Sequence, residues 1–154
     1  KYYLNLKAYE KSLRESDTPW TPAISLVVGL QKVLDLIEAE GFENVLKRAA
    51  QLGEFTRQNF RRLGLELFSK APSSTVSAAV VPAGIDGAKL VKVMRDEKGV
   101  TMAGGQGELK GKIVRCAHMG AITRGDLEIG FQVLGETLTE LKNQPVTPQT
   151  ANKQ

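Results

Sequence analysis

Met102-Ala103-Gly104-Gly105-Gln106-Gly107-Glu108-Leu109-Lys110-Gly111-Lys112-Ile113-Val114-Arg115-Cys116-Ala117-His118-Met119-Gly120 is the stretch that decides the fold. Val100 to Ala103 reads as a strand. The loop Gly104 to Gly111 is glycine-rich, and Lys112 to Met119 reads as a second strand ended by Gly120. Two phosphate-loop readings of the glycines fail. A P-loop needs Gly five positions before Gly111, where Gln106 stands, and Ser or Thr after Lys112, where Ile113 stands. A dinucleotide fingerprint needs a helix after the loop, and a strand follows instead. A hairpin connection or a ligand-contacting loop remains.

Working downstream, Thr123 and Asp126 have capping-box spacing, and Leu127, Phe131, Leu134, Leu138 and Leu141 form one helical stripe. Upstream, Asp86 caps a helix carrying Leu90, Val91 and Met94, which Gly99 ends. Thr75 to Val81 reads as a strand closed by Pro82, and Leu65 to Phe68 as a short strand before the loop Lys70 to Ser74. A helix from about Glu43 to Leu63 places Val45, Ala49, Leu52, Thr56, Phe60 and Leu63 on one face. Lys47, Arg48, Arg57, Arg61 and Arg62 lie on the other, and Gly64 is its C-cap residue. An earlier helix opens at Thr21 as N-cap with Pro22 at the first helical position, and Gly41 ends it. Its first half, Ala23 to Leu30, is apolar on nearly every side, so it is expected to pack against another domain or subunit. Tyr2 to Leu6 reads as a strand or a turn of helix, followed by polar residues up to Asp17. The fold class is therefore α+β. Two long interface helices precede β-α-β-β-α, a small antiparallel-type sheet with helices on one face. The expected division is 1–20, a segment leading in from another domain; 21–142, the folded domain; and 143–154, a frayed tail.

The 154 residues carry 21 Lys+Arg against 17 Asp+Glu, a net charge of +4. With 42% hydrophobic and 25% charged residues the chain is globular in composition, which excludes collagen, coiled-coil fibre and bulk disorder. No apolar run approaches the roughly 20 residues of a membrane-spanning helix. Only 6% of residues are aromatic, so a basic stripe interleaved with aromatics for nucleic acid is missing. The arginines Arg57, Arg61 and Arg62 read as a solvated face, with nucleic-acid binding the weaker alternative. The single cysteine, Cys116, points to the cytoplasm, and with the single histidine, His118, it cannot build a zinc site. The start at Lys1 reads as the interior of a longer chain.

Four positions carry candidate chemistry. Arg115 lies mid-strand and shares a face with Ile113 and Ala117. An arginine on an apolar face suits a two-point grip on a carboxylate; the plainer reading is a sheet-edge arginine reaching water. His118 reads as a general base or, more plainly, a satisfied structural histidine. Cys116, on the opposite strand face, reads as a packed thiol. Thr18 and Thr21 stand at a helix mouth, where free N–H groups and hydroxyls would suit a phosphate; plain capping accounts for Thr21 alone.

With these pieces in place, the sequence resembles the C-terminal small domain of class V, fold-type I pyridoxal-phosphate aminotransferases. It is most similar to the alanine–glyoxylate and serine–glyoxylate group, whose cyanobacterial relatives carry the label of a soluble hydrogenase subunit. The resemblance runs from Tyr2-Tyr3-Leu4-Asn5-Leu6 through Thr18-Pro19-Trp20-Thr21-Pro22 to the last helix. Its most specific stretch is Met102 to Gly120, with Cys116-Ala117 departing from the family's usual Ile-Gly. The resemblance implies that Arg115 grips the substrate α-carboxylate, and that Thr18 and Thr21 reach the cofactor phosphate of a neighbouring subunit. Thr18 is a tyrosine in some relatives. It implies a homodimer, a large domain carrying the cofactor lysine, small amino acids and 2-oxo acids as substrates, and no catalytic residue or metal within these 154 residues. A chain lacking that lysine is not expected to transaminate alone. The rival expectation is a binding subunit of a larger oxidoreductase assembly.

Overall fold

The computed structural model describes residues 2–143, so residues 144–154 of the expected tail lie outside the described residues. The chain forms two compact units that divide between Val45 and Leu46. The first holds α1 (Leu6–Arg14) and α2 (Ile24–Glu40). Helix α3 (Phe42–Arg62) spans the division. The second unit continues with β1 (Val76–Val80), α4 (Gly87–Asp96), β2 (Ala103–Gly104), β3 (Ile113–Ala117) and α5 (Arg124–Asn143). The α+β reading and the order β-α-β-β-α are those of the sequence. Among the described residues no helix is long and apolar enough to cross a membrane.

The three strands are antiparallel in the order β1-β3-β2, so β3 is central. Its register pairs Ser77 with Cys116, Ala78 with Arg115 and Ala79 with Val114 on one side, and Ala103 with Arg115 on the other. Alternation then sorts the side chains. Ser77, Ala79, Val114 and Cys116 are buried, whereas Val76 and Val80 are 41% and 37% exposed. The covered face packs on Leu52 and Phe60 from α3, Leu90 and Met94 from α4, and Leu127, Phe131 and Leu134 from α5. Phe60 and Phe131 meet edge to face at 4.9 Å between ring centroids, a geometry that adds to their area burial. The ends of α4 and α5 are fixed as the sequence requires. Asp86 accepts the Ala88 N–H, and Thr123 and Asp126 bond reciprocally, the Asp126 carboxylate taking the Thr123 N–H.

The first unit differs from expectation in two places. Leu6–Arg14 is a helix rather than a polar connection, carrying an Arg14–Glu10 pair at i,i+4. Thr21 is not the N-cap of α2. The chain bends once more at Ala23 (φ −76°, ψ 66°), an inverse γ-turn in which Ile24 N–H donates to the Pro22 carbonyl, so the helix starts at Ile24 without a side-chain cap. The expected strand Leu65 to Phe68 is reduced to a bridge, Leu67 opposite Ala79, with Phe68 N–H donating to Ala78 and Val80 N–H to Glu66. The strand expected at Val100 to Ala103 shrinks to Ala103–Gly104, because Val100 N–H donates to the Met94 carbonyl at the end of α4.

Removing Phe131, 1% exposed, leaves a cavity against Phe60. Phe131→Ala is expected to cost about 3–5 kcal/mol, read from urea unfolding with an unchanged m-value. A loss below about 1 kcal/mol would mean that the aromatic pair does not anchor the core.

Candidate functional site

Arg115 is half-buried in the middle of the central strand, so the sheet-edge reading does not hold. Its Nε–H donates to the Gly104 carbonyl at 2.9 Å. Among the described residues it makes no ion pair. The guanidinium has five N–H donors, and this bond uses one. Its neighbours on the same sheet face and across the strands are small or apolar: Val76, Ala78, Ala103 and Ala117. Arg115 and Ala117 line a hollow of about 410 Å³ together with Met102, Ala103, Leu127 and Asp126, whose carboxylate is already engaged by the Thr123 N–H and hydroxyl. A cation on such a face attracts an anion, and a planar fork is matched by a carboxylate.

Thr18 and Thr21 line one hollow of about 260 Å³ in the first unit, together with Tyr3, Tyr9 and Trp20. Both threonines are exposed. Trp20 packs against Tyr2, Tyr3 and Tyr9 at 4.9, 5.3 and 5.1 Å between ring centroids, which orders the segment between the two threonines. Thr18 N–H donates to the Asp17 carboxylate at 2.7 Å. Thr21 does not cap α2 and lines the hollow.

His118 and Cys116 lie elsewhere in chemical terms. His118 is fully buried, its Nε2 3.1 Å from the Ser77 hydroxyl, while its Nδ1 has no hydrogen-bond partner among the described residues. Gly53 makes the space: a Cβ there would come within 2.9 Å of the imidazole and 3.1 Å of Arg57. Burial, and then the nearby Arg57 charge, push the His118 pKa below its ordinary 6.5. The reading of α3 as a solvated basic face missed this: the Arg57 side chain is 14% exposed and pairs with Glu54 at 3.1 Å. The only sequence signal for it was Gly53 within the α3 pattern. Cys116 is buried, and burial raises its thiol pKa to about 11, the neighbouring Thr56 hydroxyl only partly offsetting it. It is a packed thiol, unsuited to nucleophilic work. Among the described residues no three His, Cys, Asp or Glu side chains converge on a metal position.

No family model matches the chain. Relatives and solved structures do. An uncharacterised aminotransferase of Methanocaldococcus jannaschii is 42% identical over 122 residues, 77% of this chain and 32% of the relative. The serine–glyoxylate aminotransferase of Methylorubrum extorquens is 34% identical over 128 residues, 81% of this chain and 31% of the relative. A protein named soluble hydrogenase, small subunit, of Synechococcus sp. is 32% identical over 149 residues, 96% of this chain and 39% of the relative. The crystal structure of an alanine–glyoxylate aminotransferase from Nostoc sp. superposes with a TM-score of 0.75 at 27% identity, over 80% of this chain and 34% of that one. The chain is homologous to one stretch of the class V aminotransferases and shares the fold of the corresponding part of fold-type I enzymes. Serine–glyoxylate and pyridoxamine–pyruvate aminotransferases stand among these homologues. The chain spans about a third of the length of the curated relatives it matches.

The buried histidine makes stability depend on pH. With a folded pKa below 6.5, the unfolded chain binds the extra proton first as pH falls through about 6.5. Stability is therefore fully present above that value and declines on acidification. The melting temperature is expected to fall between pH 7.5 and 5 by more than that of His118→Gln, measured by circular dichroism; equal slopes for the two proteins would remove the histidine as the cause.

Proposed function

We propose that this chain is the C-terminal small domain of a pyridoxal-phosphate-dependent transaminase of the cytoplasm. The enzyme moves an amino group from a small amino acid, such as alanine or serine, to a 2-oxo acid such as glyoxylate. The observation that carries the reading is Arg115, a half-buried guanidinium that makes no ion pair among the described residues, on an otherwise apolar sheet face. Its terminal N–H groups hold the α-carboxylate common to amino and oxo acids. That grip fixes which bond at the α-carbon stands in line for reaction. The names of the relatives support the substrate class, since serine–glyoxylate and alanine–glyoxylate aminotransferases are among them.

The cofactor fits the residues present at one end only. Thr18 and Thr21 offer two hydroxyl donors on one hollow, which suits a phosphate group. The remaining contacts, including the lysine that carries the cofactor, belong to a large domain outside this chain, so these 154 residues are inactive by themselves. When bound, the cofactor supplies an electron sink for breaking the bond at the α-carbon. Helix α2 supports a homodimeric arrangement with its own large domain: it has no buried residue, and Ile24, Leu26, Val27, Val28 and Leu30 are all more than half exposed. The partners are thus the large domain, a second subunit, and small amino and oxo acids. The alternative, a non-catalytic subunit of a soluble hydrogenase assembly, rests on the name of the Synechococcus relative.

In the full-length protein, Arg115→Ala is expected to lower kcat/KM for amino and oxo acids by roughly a hundredfold, the scale of a lost charge-assisted pair, while the bound cofactor keeps its visible absorbance. Unchanged kinetics would remove the carboxylate role. Thr21→Ala is expected to weaken cofactor retention by several-fold, followed by absorbance after dialysis, with KM for the acid little altered. Equal retention would remove the phosphate role. A wild-type protein with no transamination of alanine or serine against glyoxylate would favour the hydrogenase-subunit alternative.

A further inference from the structure

We propose that the Gly104–Gly105 corner aims the Arg115 fork and restricts it to one mode of gripping a carboxylate, a step that rests on the carboxylate role proposed above. A guanidinium can hold a carboxylate side-on, through Nε and one terminal nitrogen, or end-on, through both terminal nitrogens. The Gly104 carbonyl accepts the Nε–H at 2.9 Å. This bond uses the donor that side-on binding requires. Because Nε–H lies in the guanidinium plane, the bond also limits how that plane can turn. The end-on pair is what remains, held rigid before the acid arrives, which lowers the ordering cost of binding.

Gly105 is the positioning residue. β2 ends at Gly104, and the next residue passes directly against the turn that closes the loop. A Cβ at Gly105 would stand 1.9 Å from the Leu109 carbonyl oxygen and 3.0 Å from the Ile113 side chain. That turn cannot easily retreat. Leu109 N–H donates to Gln106, Lys110 N–H to Gly107, and Lys112 N–H to Leu109, at 3.0–3.1 Å. A side chain at 105 therefore displaces the strand end, and with it the Gly104 carbonyl. The loop then acts on the ligand through Arg115 without touching it.

The test has a spectroscopic and a kinetic part. In the ¹⁵N-labelled chain the Arg115 Nε–H is expected to exchange with water at least about tenfold more slowly than that of exposed Arg14, and Gly105→Ala abolishes this protection. In the full-length protein Gly105→Ala is expected to raise KM for amino and oxo acid by about tenfold, with kcat within about twofold and cofactor absorbance unchanged. Arg115 Nε–H exchanging as fast as Arg14 in the unaltered chain overturns the proposal, whether or not the variant folds. Gly105→Ala with normal KM, beside a damaged Arg115→Ala, overturns the positioning role and leaves the carboxylate role intact. Normal kinetics for Arg115→Ala overturn both.

Discussion

The alternation of one central strand governs the second unit. β3 sends Val114 and Cys116 into the layer of α3, α4 and α5, and sends Arg115 and Ala117 the other way. The burial of the first pair is what holds the second in place. A slip of one residue in the β1–β3 register would put a guanidinium into the aromatic core and expose two of its members. The strand cannot slip without the loss of Phe60 and Phe131 packing, so the same contacts that stabilise the domain set the position of Arg115.

Much of this was legible in the residues. Asp86, and Thr123 with Asp126, name the starts of α4 and α5, since their side chains satisfy local N–H groups whatever the surroundings. The stripe Leu127 to Leu141 follows from periodicity, and the strand after the glycine loop, Ile113–Ala117, falls within the span read from the sequence. What escaped was set mostly by contacts distant in sequence, with one local turn as the exception. Thr21-Pro22 has the pattern of a helix start, but the Ile24 to Pro22 turn delays the helix. Arg57 has the spacing of a surface residue, yet it lies against His118, sixty-one positions on, in space opened by Gly53. The short pairings at Leu67 and Ala103 depend on how far neighbouring segments are drawn toward other partners, which propensity does not encode.

The candidate site divides along the same line. Residue type and strand position single out Arg115, and its lack of an ion pair among the described residues is a tertiary fact. The two threonines were grouped by sequence proximity to a helix mouth. The fold groups them instead by a shared hollow against an aromatic cluster. The glycine loop, open between a mere connection and a ligand contact, gains a third possibility once its carbonyl is seen on Arg115.

Helix α2 has a consequence for the life of the chain in the cell. A run of Ile24, Leu26, Val27, Val28 and Leu30 open to solvent carries the surface signature by which chaperones recognise incompletely folded protein. An open apolar surface of this kind favours aggregation however well the second unit is packed. Substitutions on α2 that change this surface then act on the abundance of the chain.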